Sequence, residues 1–190
     1  DALGVDKAHL VGASMGGMVS QQVAVDHEDR LLSLASIMAT TGDRSVGRPT
    51  PAAAAALGRP TAASREEAVQ GAVAAGRITG STGFEVSDLE IAALAGEKYD
   101  RSYRPLGRLR QYAAILGSPD RTEGLRGVTI PTVVIHGDAD PLVDVSGGHA
   151  TAAAVPGADL VVIPGMGHDL PRGARRQIAD AIIHNARRAA

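Results

Sequence analysis

The 190-residue chain has no cysteine and no tryptophan, and only one phenylalanine and three tyrosines. The missing cysteine excludes a disulfide scaffold, a thiolate metal site and a cysteine nucleophile. With so few aromatics, a core must be built from Ala, Val, Leu and Ile. The formal charge of −2 offers no basic face to nucleic acid or to an anionic membrane surface. No apolar run approaches the length of a membrane span, and the opening residues carry no signal-peptide pattern, so a cytoplasmic location is expected. The length suits one domain, with room for an insertion.

What the chain does hold is organised around Leu10-Val11-Gly12-Ala13-Ser14-Met15-Gly16-Gly17. An apolar run from Ala8 to Val11 reads as a buried strand, and a helical pattern follows from Ser14 to about His27, with Val19, Val23 and Ala24 at helical spacing. Gly12-x-Ser14-x-Gly16 at a strand–helix turn has the spacing of a nucleophile elbow, which holds a serine in a strained backbone with its hydroxyl above the sheet. Glycine at both flanking positions is expected because a Cβ there would crowd the turn. The helix start aims free N–H groups at the serine, and the Met15 N–H would serve as one oxyanion donor. The competing reading is a strand–helix turn whose serine is buried and hydrogen-bonded.

Leu31 to Met38 reads as a second apolar strand, so strand, helix and strand without polar alternation predict a parallel sheet covered on both faces. From Gly42 to Arg126 the character changes to Pro/Gly punctuation, an alanine run at Ala52–Ala56 and helix signals without strands. Ser64-Arg65-Glu66-Glu67 and Ser87-Asp88-Leu89-Glu90 read as capping boxes opening helices to about Ala75 and Tyr103. A third helix covers about Leu106 to Leu116. This is a helical insertion, read as a lid over a pocket rather than a peripheral packing layer. Strands return at Thr132–Ile135 and Leu160–Ile163, with helices at Ser146–Ala154 and Pro171 to about Arg188. In the last helix, Ile178, Ala181, Ile182 and Asn185 are expected to point inward.

Polar loops follow both later strands: His136-Gly137-Asp138-Ala139-Asp140-Pro141 and Pro164-Gly165-Met166-Gly167-His168-Asp169. Carboxyl ends of strands are where open α/β sheets carry active sites. A serine, an acid and a histidine then occur in the chain order described for α/β-hydrolases. Ser14 needs a base to take its proton, and His168, between glycines, is the candidate. An acid must hold the imidazole in one tautomer. Asp140 is chosen for that role. Asp138 is expected to brace the turn and Asp144 to cap the helix at Ser146. A metal site at Asp138, Asp140 and Asp144 lacks the calcium-loop pattern. His136 reads as a buried strand-end residue, His27 as a solvated loop residue, His149 and His184 as helix surface or packing residues, and His9 lies in or beside the first strand.

Gly12-Ala13-Ser14-Met15-Gly16-Gly17, Val134-Ile135-His136-Gly137-Asp138-Ala139-Asp140-Pro141 and Ile163-Pro164-Gly165-Met166-Gly167-His168 resemble the three signature blocks of the α/β-hydrolase superfamily. The Gly-Met-Gly-His block and Arg110-Gln111-Tyr112-Ala113-Ala114-Ile115 resemble the group that contains aclacinomycin methylesterase. The resemblance implies a triad of Ser14, Asp140 and His168, hydrolase core at 1–42 and 127–190, and a helical cap at 43–126. It also implies further strands before Ala8. The expectation is that the first strand exposes an edge, to be met by a complementary amino-terminal segment or a second copy, which sedimentation tests.

The expected activity is that of a serine hydrolase cleaving a small-molecule carboxylic ester through an acyl-enzyme, with no metal or organic cofactor. Nucleic acid and membrane partners are not expected. Ser14 stands against the dehalogenases and epoxide hydrolases of this superfamily, which use an aspartate. Perhydrolase or cofactor-free haloperoxidase chemistry on the same three residues stays open, as does a catalytically incomplete fragment acting as an interaction module. The cap aromatics Phe84, Tyr99, Tyr103 and Tyr112 are few, which suggests an aliphatic pocket.

Overall fold

A computed structural model describes residues 4–189. The first βαβ unit runs β1 (Ala8–Ala13), α1 (Met15–Asp26) and, after a 3₁₀ turn, β2 (Leu31–Ile37). A helical stretch follows: α2 (Pro51–Leu57), α3 (Arg65–Thr79), α4 (Asp88–Ser102), α5 (Pro105–Gly117) and the short α6 (Thr122–Leu125). The chain then returns through β3 (Thr132–Gly137), α7 (Ser146–Ala154), β4 (Asp159–Ile163) and α8 (Arg175–Arg187). The four strands form one sheet in the order β1-β2-β3-β4, every neighbouring pair parallel. Each crossover contains a helix, as parallel pairing requires.

Two apolar layers sandwich this sheet. On one face Ala35, Ile37, Val133, Ile135 and Ile163 pack with Ala174 and Ile178. On the other, Leu31 and Leu34 pack with Ala24, Leu125, Ala154 and Val155. Fully burying one such Leu or Ile contributes about 1.5–3 kcal/mol relative to exposure, so these aliphatic clusters stand in for the missing aromatics. In α8, Asn185 is buried with Ile178, and its amide donates to the carbonyls of Leu34 and Pro131, tying the helix to the start of the sheet.

The elements match the sequence reading closely, with informative differences. β1 and β3 each run two residues further than expected, because Gly12 and Ala13 pair with Ser36 and Ile37 of β2, and His136 and Gly137 pair with Val162 and Ile163 of β4. Val19 does not share the inward face of α1: it is 54% exposed, while Ala24 is buried. The alanine run forms α2, opened by Thr50, whose side chain accepts from Ala53 N–H, and by Pro51 at the first helical position. Ser64 accepts from Glu67 N–H as expected, but Glu67 reaches Ala63 N–H instead of completing the reciprocal box. Ser87 likewise caps α4 through Leu89 N–H, one residue short of the expected partner.

β1 is an edge strand with Val11 46% exposed, and no strand among the described residues pairs with its outer side. No helix of the described residues is long and apolar enough to cross a membrane.

Candidate active site

Ser14 sits between β1 and α1 with φ 55° and ψ −122°, a backbone that side-chain-bearing residues rarely adopt. Close packing around the turn enforces it. A Cβ on Gly12 would run into Gly16 O and Ser20 Oγ, and Ser20 is fixed there by donating to Gly16 O at 2.8 Å. The expected crowding at Gly16 is not found: a Cβ there would meet nothing within 4 Å. The second tight position is Gly17, where a Cβ would lie 2.7 Å from the Ala39 methyl, because α1 crosses the end of β2 there. Met15 opens α1, so its N–H belongs to the first turn, which has no intrahelical acceptor.

The structure brings the serine, histidine and acid chosen from sequence into one line. His168 Nε2 is 2.8 Å from Ser14 Oγ, and His168 Nδ1 is 2.7 Å from Asp140 Oδ2. An ionised carboxylate only accepts, so Nδ1 carries the proton and Nε2 accepts from the serine hydroxyl. The Asp140 side chain is fully buried and the His168 side chain is 10% exposed. The other Asp140 oxygen accepts from Leu142 N–H at 2.8 Å and Val143 N–H at 2.9 Å, which fixes the carboxylate plane.

The remaining acids and histidines do other work. Asp138 braces the histidine loop, accepting from Gly165 N–H at 2.6 Å. Asp144 does not cap α7 as expected, because Val145 holds the N-cap position; it accepts from Ser146 N–H in the preceding turn, and its hydrogen bonds to Ser146 hold its carboxyl below the usual range. His136 is fully buried and donates from Nε2 to Val143 O at 2.8 Å, bracing the loop that holds Asp140. Burial pushes its pKa down, so it is held neutral. Its Nδ1 has no hydrogen-bond partner among the described residues and lies over Gly148, where a Cβ would come within 2.6 Å of it. His27, His149 and His184 are exposed, and His9 pairs with Ser33 Oγ at 2.8 Å.

One contribution was invisible in the sequence. The backbone N–H of His168 donates to Thr79 O at 2.7 Å, so the end of α3 touches the loop that carries His168 directly. A cavity of about 1130 Å³ lies among α2–α5, with Tyr99, Tyr103 and Gln111 on its walls. Ser14 and His168 are not among its lining residues. Phe84 packs instead against the sheet cluster.

Comparison with known proteins places the chain in a family. A family profile described as the alpha/beta hydrolase fold matches residues 1–171. Rhodomycin D methylesterase DnrP of Streptomyces peucetius is 27% identical over 211 residues, an alignment covering all of this chain and 70% of the relative. Among solved structures, a meta-cleavage product hydrolase from Pseudomonas fluorescens IP01 superposes with a TM-score of 0.73 at 20% identity, covering 100% of this chain and 68% of that one. A thermophilic esterase from Thermogutta terrifontis superposes at 0.71 with 24% identity, covering 99% and 68%. The chain therefore belongs to the α/β-hydrolase fold family, with esterases among its relatives.

Proposed function

We propose that the chain carries the reactive centre of a serine esterase. The observation that supports this most is the continuous line Ser14 Oγ–His168 Nε2 and Nδ1–Asp140 Oδ2, each link within 2.8 Å. Likeness to a methylesterase supports a carboxylic ester as substrate class.

In this reading Ser14 Oγ attacks the ester carbonyl carbon as its proton passes to His168 Nε2. The resulting imidazolium is stabilised by Asp140, which stays ionised. The carbonyl π electrons move onto oxygen, and Met15 N–H donates to that oxyanion; one such donor is worth roughly 10²–10³ in rate. Collapse breaks the C–O bond to the alcohol, which leaves with the proton from Nε2. Water then attacks the acyl-serine with His168 as base, releasing the acid and restoring the hydroxyl. Residues 43–126 serve as the cap that shapes access to Ser14. A further strand on the open edge of β1 belongs to the same proposal; a folded, active species that sediments as a single chain removes that part.

The test is a panel of methyl and p-nitrophenyl esters of graded acyl length. Turnover by the wild type, falling by about 10³-fold or more in Ser14→Ala, is expected. No turnover across the panel, or turnover indifferent to Ser14→Ala, overturns the reading.

A further inference from the structure

The loop carrying His168 is braced on the sheet side by Asp138 and is also held from outside the sheet. Residues 79–83, which leave the end of α3, lie against residues 164–169 along their whole length. Thr79 O accepts from His168 N–H at 2.7 Å, and Gly165 O accepts from both Thr82 N–H and Gly83 N–H at 2.9 Å. Between these backbone bonds sits Ser81. Its hydroxyl donates to Asp169 Oδ1 at 2.5 Å and accepts from Gly167 N–H at 2.9 Å, and its own N–H donates to the same carboxylate oxygen at 3.0 Å. One side chain therefore grips the residues immediately before and after His168.

The approach is too close for side chains. A Cβ on Gly165 would lie 2.5 Å from Gly83 Cα, and one on Gly83 would lie 2.8 Å from Gly165 Cα. A Cβ on Gly167 would collide with the backbone of Gly80. Glycine faces glycine at both ends of the seam, with Ser81–Asp169 between. Gly165 also adopts φ +72°, a conformation glycine tolerates.

We propose that Ser81 and Asp169 are positioning residues for His168, and that the segment after α3 sets the imidazole's place relative to Ser14. This rests on the esterase reading above. The sheet fixes Ser14 and Asp140 through β1 and β3, whereas the histidine backbone takes its N–H acceptor from residue 79 and its flanking anchors from residue 81. Displacing a reacting group by about 1 Å costs on the order of 10²-fold in rate. A loosened seam therefore lowers the chemical step while leaving ester binding nearly untouched.

The experiment compares Ser81→Ala, Asp169→Ala and Asp169→Asn with the wild-type chain. The readouts are kcat and KM on the best ester of the panel and the rate of labelling by a small fluorophosphonate. Ser81→Ala is expected to lower kcat and labelling by roughly 10- to 100-fold, with KM changed less than about 2-fold. Asp169→Ala does the same, the double alanine variant adds little, and Asp169→Asn, which keeps the acceptor oxygen, recovers most of the rate. Gly83→Ala, which wedges the seam without removing a polar group, gives the same signature should Ser81→Ala fold poorly. Hydrogen exchange over 164–169 rises in each impaired variant. Unchanged kcat and labelling in a folded Ser81→Ala, or a loss confined to KM, overturns the proposal. A wild type that neither turns over esters nor labels overturns the esterase reading itself, and is told apart because it fails before any substitution.

Discussion

The sheet and the helices α3–α5 are built on different principles. In the sheet, all six residues of β3 are buried, and β2 has six of its seven buried. In α3 and α5 no residue is buried, and in α4 only Gly96 is. Leu106, Leu109 and Leu116 of α5 are 52–63% exposed. The helices are tied by surface ion pairs, Arg65 to Asp100 at 2.8 Å and Arg77 to Asp88. Exposed pairs of this kind contribute little. The sheet thus holds the turns that carry Ser14 and Asp140, while the helical segment meets this layer through residues 79–83 on the His168 loop, Phe84 on the sheet cluster and an ion pair from Glu90 to Arg172.

That contrast is broken most severely at Asp140. Asp140→Asn leaves a similar shape but disturbs the histidine tautomer, and ester turnover is expected to fall by about 10⁴-fold with little change in melting temperature. A loss of less than tenfold would remove Asp140 from the relay.

Next is Arg121, a buried arginine at the foot of the helical segment. It donates to Thr40 O, Ser118 Oγ and Gln21 Oε1, and Gln21 continues to Ser36 Oγ. Burial pulls its pKa down. Arg121→Met leaves these acceptors unpaired and should cost about 2–4 kcal/mol in urea unfolding. A cost under 0.5 kcal/mol on the order-of-magnitude scale for surface substitutions would show that this network is dispensable.

His136 gives a smaller, pH-dependent effect. Burial lowers its folded pKa below the ordinary value of about 6.5, so the unfolded chain binds more protons between the two values. Its contribution is complete above pH 6.5 and is lost as pH falls from there toward the folded pKa. Urea midpoints measured across that range should fall with acidification in wild type, and less steeply in His136→Asn. Equal slopes would contradict the assignment. Smallest of all, Asp100→Ala on α4 should leave the unfolding midpoint unchanged within error, since its partner Arg65 is solvated.

Much of this was legible in the sequence because strand ends announce themselves. Gly12, Ser14, Asp140 and His168 all follow short apolar runs, and local pattern alone carried them to the correct end of the sheet. Gly16 and Gly17 were not distinguishable, because which glycine is crowded depends on where α1 crosses Ala39. Val19 has the right spacing for burial but faces away from the packed side of α1. The Gln21–Arg121 bond spans 100 positions and the Ser81–Asp169 bond 88, and nothing in the local pattern of either partner announces the other. Contacts of that kind are set by tertiary approach and leave no periodicity to read.

The central claim is that Ser14 is a nucleophile activated by His168. Incubating the chain with a fluorophosphonate and mapping the adduct by peptide mass spectrometry tests it most directly. The account predicts one adduct, on Ser14, absent in Ser14→Ala and at least about 10³-fold slower to form in His168→Ala. An adduct elsewhere, or labelling of Ser14 that proceeds equally well without the imidazole, would contradict it.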